Sequence, residues 1–257
     1  MTAAVARVGP DDAITVAAAR RLRPGQVCFV GIGLPSAAAM LARATTAPDL
    51  VLVYESGVLG AKPTYVPLSV ADAILAKTAV DVVSVPELFN YWLQPGRIHM
   101  GLIGAGQVDR MGNINSTAIG NYESPTVRLP GAGGAPEIGA ACREFAVLVR
   151  QSVRSFVSQV DFISTVGYGA GPGDRGRLGL PGAGPTAVIT DLGVYEPHPQ
   201  TCKLRLTALQ PGVTVADAQA ATGWDLEVSP DLRVLDAPTD AELAILRGFP
   251  AARDTGR

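Results

Sequence analysis

Apolar residues along the chain come in short dense runs separated by Gly, Pro and polar clusters. Val27-Cys28-Phe29-Val30 and Leu50-Val51-Leu52-Val53 are unbroken apolar segments. Runs this short, rich in β-branched residues and bounded by turn signals, read as strands buried on both faces. Longer stretches between them, at 14–22, 35–43, 70–76 and 86–93, read as helices. Pro35 opens its helix in the first turn, where a missing N–H costs nothing. Val82-Val83-Ser84-Val85 adds a strand before the last of these helices. The alternation predicts an α/β fold, a three-layer α/β/α sandwich around a mostly parallel sheet.

The pattern changes at Ile98. Residues 99–105 read as a strand, Asp109-Arg110-Met111-Gly112-Asn113 as a turn, and 114–119 as a returning strand. Together they predict a β-hairpin with a five-residue loop. Further on, 137–144 reads as a helix, and 145–149, 162–166, 187–191 and 204–209 as strands. Residues 215–222 and 239–246 read as closing helices. No repeat and no polar linker divides the 257 residues. The expectation is one domain over 1–257, with its core at about 14–246 and a frayed tail from Asp254.

Composition changes this picture in one respect. Hydrophobic residues make up 47% and charged residues 17% of the chain. That excess calls for a well-covered sheet or for surface buried against a partner. A net charge of −2 offers no basic stripe for nucleic acid. Cys28, Cys142 and Cys202 are odd in number and widely spaced, which fits neither a disulfide framework nor a zinc site. The first seven residues lack an apolar leader core, and no run of about 18 apolar residues is free of Gly, Pro or charge. A cytoplasmic protein without a membrane span is expected.

Tyr54-Glu55-Ser56-Gly57 closes the second strand. Ligands of open α/β sheets bind in the crevice at the carboxyl ends of the strands, so Glu55 is the first candidate for chemistry. A carboxylate there also serves simply to cap a following helix. Pro130-Gly131-Ala132-Gly133-Gly134-Ala135-Pro136 lies between a strand-like segment and a helix. Its backbone N–H groups form a nest for an anion, or its glycines allow close helix–strand packing. A carboxylate nucleophile and a donor nest are together the minimum for acyl transfer through an oxyanion.

Other motifs carry less. Gly31-Ile32-Gly33-Leu34-Pro35-Ser36 departs from the dinucleotide fingerprint, with Ser36 at the third glycine and Pro35 interrupting. It reads as a loop that admits a ligand to the backbone or as a plain turn. The Gly/Pro loop 178–185 reads as an ordered surface or interface loop. His99 and His198 are the only histidines and complete no Ser-His-Asp set. Trp92 and Trp224 read as packing residues.

Taken in order, Gly31-Ile32-Gly33-Leu34-Pro35, Glu55-Ser56-Gly57, Gly112-Asn113-Ile114-Asn115-Ser116-Thr117, Gly131-Ala132-Gly133-Gly134-Ala135 and Leu178-Gly179-Leu180-Pro181-Gly182 resemble the β-subunits of class I CoA-transferases, glutaconate CoA-transferase type. The resemblance runs over about 14–246. It implies Glu55 as the acyl acceptor, oxyanion donors at Gly133 and Gly134, and CoA or substrate contacts at Gly31, Gly33 and Asn115. It also implies an α-subunit partner in a hetero-oligomer, a CoA thioester as substrate and no metal or permanently bound cofactor. Transfer from succinyl-CoA to 3-oxoadipate in aromatic-compound catabolism is the expected activity. Another short-chain acid, glutaconate included, or acyl-CoA hydrolysis on the same fold is the alternative. Lys62 and Arg128 are candidate cations for the distal carboxylate of a diacid, unless the partner supplies one.

Overall fold

The structure, a computed structural model, describes residues 8–250. The readings of the leader and of the tail rest on residues outside that span. In chain order the elements begin with α1 (Pro10–Ala19), β1 (Val27–Val30), α2 (Leu34–Ala44), β2 (Val51–Tyr54) and β3 (Val58–Leu59). There follow α3 (Ala73–Lys77), β4 (Asp81–Val82), α4 (Val85–Glu87) and a π-helix (Leu88–Leu93). Next come β5 (Met100–Gly104), β6 (Gln107–Val108), β7 (Ile114–Asn115), β8 (Ala118–Ile119), β9 (Val127–Arg128), α5 (Ala135–Ala141) and β10 (Glu144–Leu148). The chain closes with α6 (Asp174–Arg177), β11 (Pro185–Ile189), β12 (Gly193–Pro197), β13 (Leu204–Leu209), α7 (Val215–Ala220), β14 (Glu227–Val234) and α8 (Asp240–Gly248).

Among the described residues ten strands form one sheet, ordered β14-β13-β12-β11-β10-β5-β1-β2-β3-β4. The centre, β11-β10-β5-β1-β2, is parallel throughout. Antiparallel pairs extend it on both sides, through β3 and β4 at one edge and β12 and β13 at the other. Side chains alternate across this centre. Cys28, Val30, Leu52, Tyr54, Leu102 and Leu148 point into one core with α1 and α2. Phe29, Val53, Ile103, Phe145 and Val147 point into a second core with the π-helix and α5. Two cores on one sheet make the three-layer sandwich, and each fully buried Val, Leu or Phe in it contributes about 1.5–3 kcal/mol.

The chain passes from β1 to β2 on one side of β1 and then returns with β5 on the other. Such a reversal of strand order opens a crevice at the carboxyl ends. The Gly31 N–H crosses there to the Leu102 carbonyl at 2.9 Å.

Several local expectations are corrected. Residues 99–105 do not form the hairpin's first strand; β5 runs parallel in the middle of the sheet. The hairpin is β6–β7, with 109–113 as its loop. A continuous apolar run fits a hairpin arm or a buried parallel strand equally well, and only its neighbours decide. Residues 162–166 are irregular, with Thr165 making an isolated bridge to Ile114. The helix expected at 86–93 is mostly a π-helix. The strands β12 and β14 were not legible. β14 is largely exposed and carries Pro230, the composition of an edge strand.

Candidate active site

Glu55 sits on a tight turn. Tyr54 of β2 pairs with Val58 of β3, which leaves Glu55-Ser56-Gly57 as a three-residue hairpin loop. The Gly57 N–H donates to the Tyr54 carbonyl at 3.0 Å, and Gly57 has φ 92. A Cβ at Gly57 would also overlap the Val83 carbonyl. Only glycine fits this corner, the usual third position of such a loop. No helix follows Glu55, so capping is not its task.

The half-buried Glu55 carboxylate lies against the Gly-rich turn. A Cβ placed on Gly133 would stand 3.1 Å from Oε2, and one on Gly134 3.2 Å from the carboxylate carbon. The Gly134 position is closed on its other side by the Phe89 ring, 2.8 Å from such a Cβ. Three groups remote in sequence therefore meet around a glycine backbone. The turn is tethered from behind, since the Gly131 N–H donates to the Ser116 carbonyl at 2.9 Å. Among the described residues, neither the Gly133 nor the Gly134 N–H is engaged in a hydrogen bond.

Glu55, Gly133 and Gly134 line an open cleft of about 380 Å³ together with Val85, Phe89, Asn90, Gln94 and Glu137. Phe89, from the π-helix, makes an edge contact with Phe29 of β1 at 5.9 Å between centroids. Such a pair holds a ring in place by about 0.5–1.5 kcal/mol beyond its burial. A π-helix shifts the side chains of its turn and occurs often at functional sites. Asn90 and Gln94 were not among the expected site residues. The one signal for them is two amides in the apolar run Leu88-Phe89-Asn90-Tyr91-Trp92-Leu93-Gln94.

The remaining candidates are placed unevenly. Gly31 and Gly33 follow β1 at the same end of the sheet as Glu55, and Gly33 faces open space. Asn115 is fully buried. Its amide nitrogen donates to Gln107 Oε1 and the Ala118 carbonyl, and its oxygen accepts from the Thr117 and Ala118 N–H groups. It belongs to the frame behind the Gly-rich turn, not to the cleft lining. Lys62 lies in a separate groove with Arg43 and Trp92, and the Arg128 guanidinium covers the Tyr122 ring at 5.1 Å. The described lining of the Glu55 cleft contains no cation.

His99 is a strand-edge residue whose Nδ1 accepts the Val27 N–H at 3.0 Å. The three cysteines are free. Burial pushes the Cys28 thiol well up, and burial raises that of Cys142 as well. Neither is a nucleophile at neutral pH. Among the described residues no helix is long and apolar enough to cross a membrane.

Comparison with known proteins meets this geometry. The family model described as Coenzyme A transferase matches residues 12–220. The chain is 54% identical over 241 residues to the β-subunit of the 3-oxoadipate CoA-transferase of Pseudomonas knackmussii, covering 94% of this chain and 93% of that protein. The β-subunit of the glutaconate CoA-transferase of Acidaminococcus fermentans is 36% identical, covering 92% of this chain and 89% of that protein. The crystal structure of glutaconate coenzyme A-transferase from the same organism superposes with a TM-score of 0.87, at 33% identity and 93% coverage of both chains. The cholesterol ring-cleaving hydrolase IpdB subunit of Mycobacterium bovis is 30% identical, covering 83% of this chain and 82% of that protein. A carboxylate set against a glycine turn at the mouth of this sheet, in a sequence so matched, places the chain in the coenzyme A transferase family.

Proposed function

We propose that this chain is the β-subunit of a two-subunit CoA-transferase that moves CoA from succinyl-CoA to 3-oxoadipate. The observation that carries the reading is the Glu55 carboxylate held against the Gly133-Gly134 backbone. The 54% identity to the β-subunit of a 3-oxoadipate CoA-transferase supports the choice of acid. The whole chain acts as one domain, in the cytoplasm, within aromatic-compound catabolism.

An ionised Glu55 oxygen attacks the succinyl thioester carbon. The developing oxyanion is met by the N–H groups of the Gly133-Gly134 turn, and the C–S bond breaks to give a mixed anhydride and CoA thiolate. The thiolate then attacks the Glu55 side-chain carbonyl. Succinate leaves and a glutamyl-CoA thioester remains. The 3-oxoadipate carboxylate attacks this thioester, and the same steps in reverse release 3-oxoadipyl-CoA and free Glu55. CoA enters as a substrate, and the sequence of steps calls on no resident cofactor. Water would divert the anhydride to hydrolysis, so the open cleft must be covered during turnover. Phe89 and Val85 line the part that the partner closes. Gly33 leaves backbone accessible for the CoA chain, and Gly31, whose N–H and carbonyl are taken by Leu102 and Ser36, holds that loop in place. The distal carboxylate of the diacid takes its cation from the partner, because the described cleft lining supplies none.

Hydroxylamine trapping on the complex of the two chains tests the reading. Succinyl-CoA should give a hydroxamate on the Glu55 peptide, seen by mass spectrometry. Glu55→Gln keeps the shape and removes the nucleophile, and should cost roughly 10⁴-fold or more in kcat. Full transferase activity in that variant would overturn the proposal. Hydrolysis of acyl-CoA without transfer to any acid would favour the alternative raised by the resemblance to the ring-cleaving hydrolase.

A further inference from the structure

The loop 178–185, read from sequence as a surface or interface loop, closes around the far end of α5. Beside it Arg175, on α6, is 7% exposed. Its guanidinium is hydrogen-bonded to carbonyl oxygens alone. Nε donates to Gly182 at 2.9 Å, Nη1 to Gly167 at 2.8 Å and Val166 at 3.1 Å, and Nη2 to Gly139 at 2.8 Å and Ala140 at 3.4 Å. The adjacent Asp174 is engaged elsewhere, with Arg177 and the Ala170 N–H. A buried cation without a carboxylate is costly unless its donors are fully met, and the rigid fork of arginine suits five carbonyls as no other side chain does.

Gly139 and Ala140 belong to the last turn of α5, where carbonyls have no partner within the helix. The Gly182 N–H donates to the Ala140 carbonyl at 2.8 Å, and the Ala183 N–H to the Arg143 carbonyl at 2.8 Å. One end of α5 is thus clamped to the loop. At its other end Gly133 and Gly134 meet Glu55. The helix between them is seven residues long, about 10 Å, too short to absorb a shift at one end before it reaches the other.

We propose that Arg175 is a positioning residue for CoA transfer: by clamping the C-terminal end of α5 it holds the Gly133-Gly134 turn in register against Glu55. The inference rests on the reading of Glu55 and this turn as the reacting pair. A displacement of the donors by about 1 Å is enough to cost about 10²-fold in rate.

The test uses the complex with its α-subunit partner, carrying Arg175→Ala or Arg175→Lys. It compares single-turnover formation of the glutamyl-CoA thioester, kcat and KM, and checks folding by circular dichroism. Thioester formation and kcat should fall roughly 10- to 100-fold in both variants, with KM for the acyl-CoA changed less than about threefold. Lysine fails because a single ammonium cannot reach both α5 and the loop. Guanidinium ion added at millimolar concentration should restore a large part of the rate to Arg175→Ala and leave the parent complex unchanged. If Arg175→Ala does not fold, the lysine variant, which keeps charge and bulk, decides. Parent-like thioester formation in a folded variant would overturn the proposal, as would a loss that appears in KM alone or that guanidinium does not relieve. The underlying reading fails separately: the parent complex would then give no hydroxamate at Glu55.

Discussion

At the scale of single residues, two glycines shape the surroundings of Glu55. Gly57 closes the loop that presents the carboxylate, with φ 92 and the Val83 carbonyl where a Cβ would go. Gly57→Ala should lose at least ~1–3 kcal/mol of stability, read as a lowered Tm. It should also lower kcat, because the turn must open to relieve the overlap. Gly134 has a different task, the close approach of backbone to carboxylate. Gly134→Ala would push on the Phe89 ring and on Glu55 without straining the backbone, since its φ of −82 suits any residue. The expected outcome is a roughly 10- to 100-fold fall in kcat with Tm changed little, and steady-state kinetics beside calorimetry separates the two glycines.

At the scale of elements, α8 is tied to α1 by charge more than by apolar area. Leu243 is the buried side chain of α8. Arg20 donates to both oxygens of Glu242 at 2.8 and 2.7 Å, and also to the Asp236 and Ala237 carbonyls. Thr239 caps the helix and shares Glu242 through a capping box. Burial pushes the Glu242 carboxyl up, but the hydrogen bonds from Arg20 and Thr239 and the Arg20 charge outweigh it, and the group is pulled down to about 2. A carboxyl lowered on folding stabilises the folded state above its unfolded value and loses that contribution as pH falls through the folded one. The docking of α8 should therefore weaken from about pH 4.5 down to about pH 2, seen as lower amide protection in 240–248 after correction for intrinsic exchange. Thr239→Ala should cost about 1 kcal/mol of this docking at neutral pH. By contrast Arg150 and Asp11 form an exposed pair whose loss should be hard to measure.

At the scale of the whole molecule, the cleft is unfinished. Its described lining holds two carboxylates, Glu55 and Glu137, and no cation, while the expected acceptor is a dianion. Val85, in that lining, is an apolar side chain left 47% exposed. The isolated chain should form no covalent adduct with succinyl-CoA, and the complex with its partner should. Lys62→Ala and Arg128→Ala should leave KM for 3-oxoadipate within about twofold, because Lys62 lines a separate groove and Arg128 covers the Tyr122 ring. A roughly tenfold rise in KM in either variant would return the cation to this chain.

Glu55, the Gly-rich turn and the central strands were legible in sequence because each depends on a local rule. Four-residue apolar runs of the kind at 27–30 and 50–53 have few ways to be buried, and a Gly-Gly segment before a helix has few uses. The resemblance added the roles of Glu55 as acyl acceptor and of Gly133 and Gly134 as oxyanion donors, which no local rule supplies. Other features depended on neighbours far away in the chain. The placing of β5 in the middle of the sheet required β1 and β10 on either side of it. The burial of Asn115 required Gln107 and the turn it closes, and the clamp by Arg175 required carbonyls from three segments. The amino-acid sequence alone determined that a carboxylate and a Gly-rich turn stand at the ends of elements and that the runs at 27–30 and 50–53 are strands, since side-chain type and period carry that information. Tertiary structure alone decided which backbone the carboxylate faces and what holds it there, since distances between remote segments are set by packing and not by spacing.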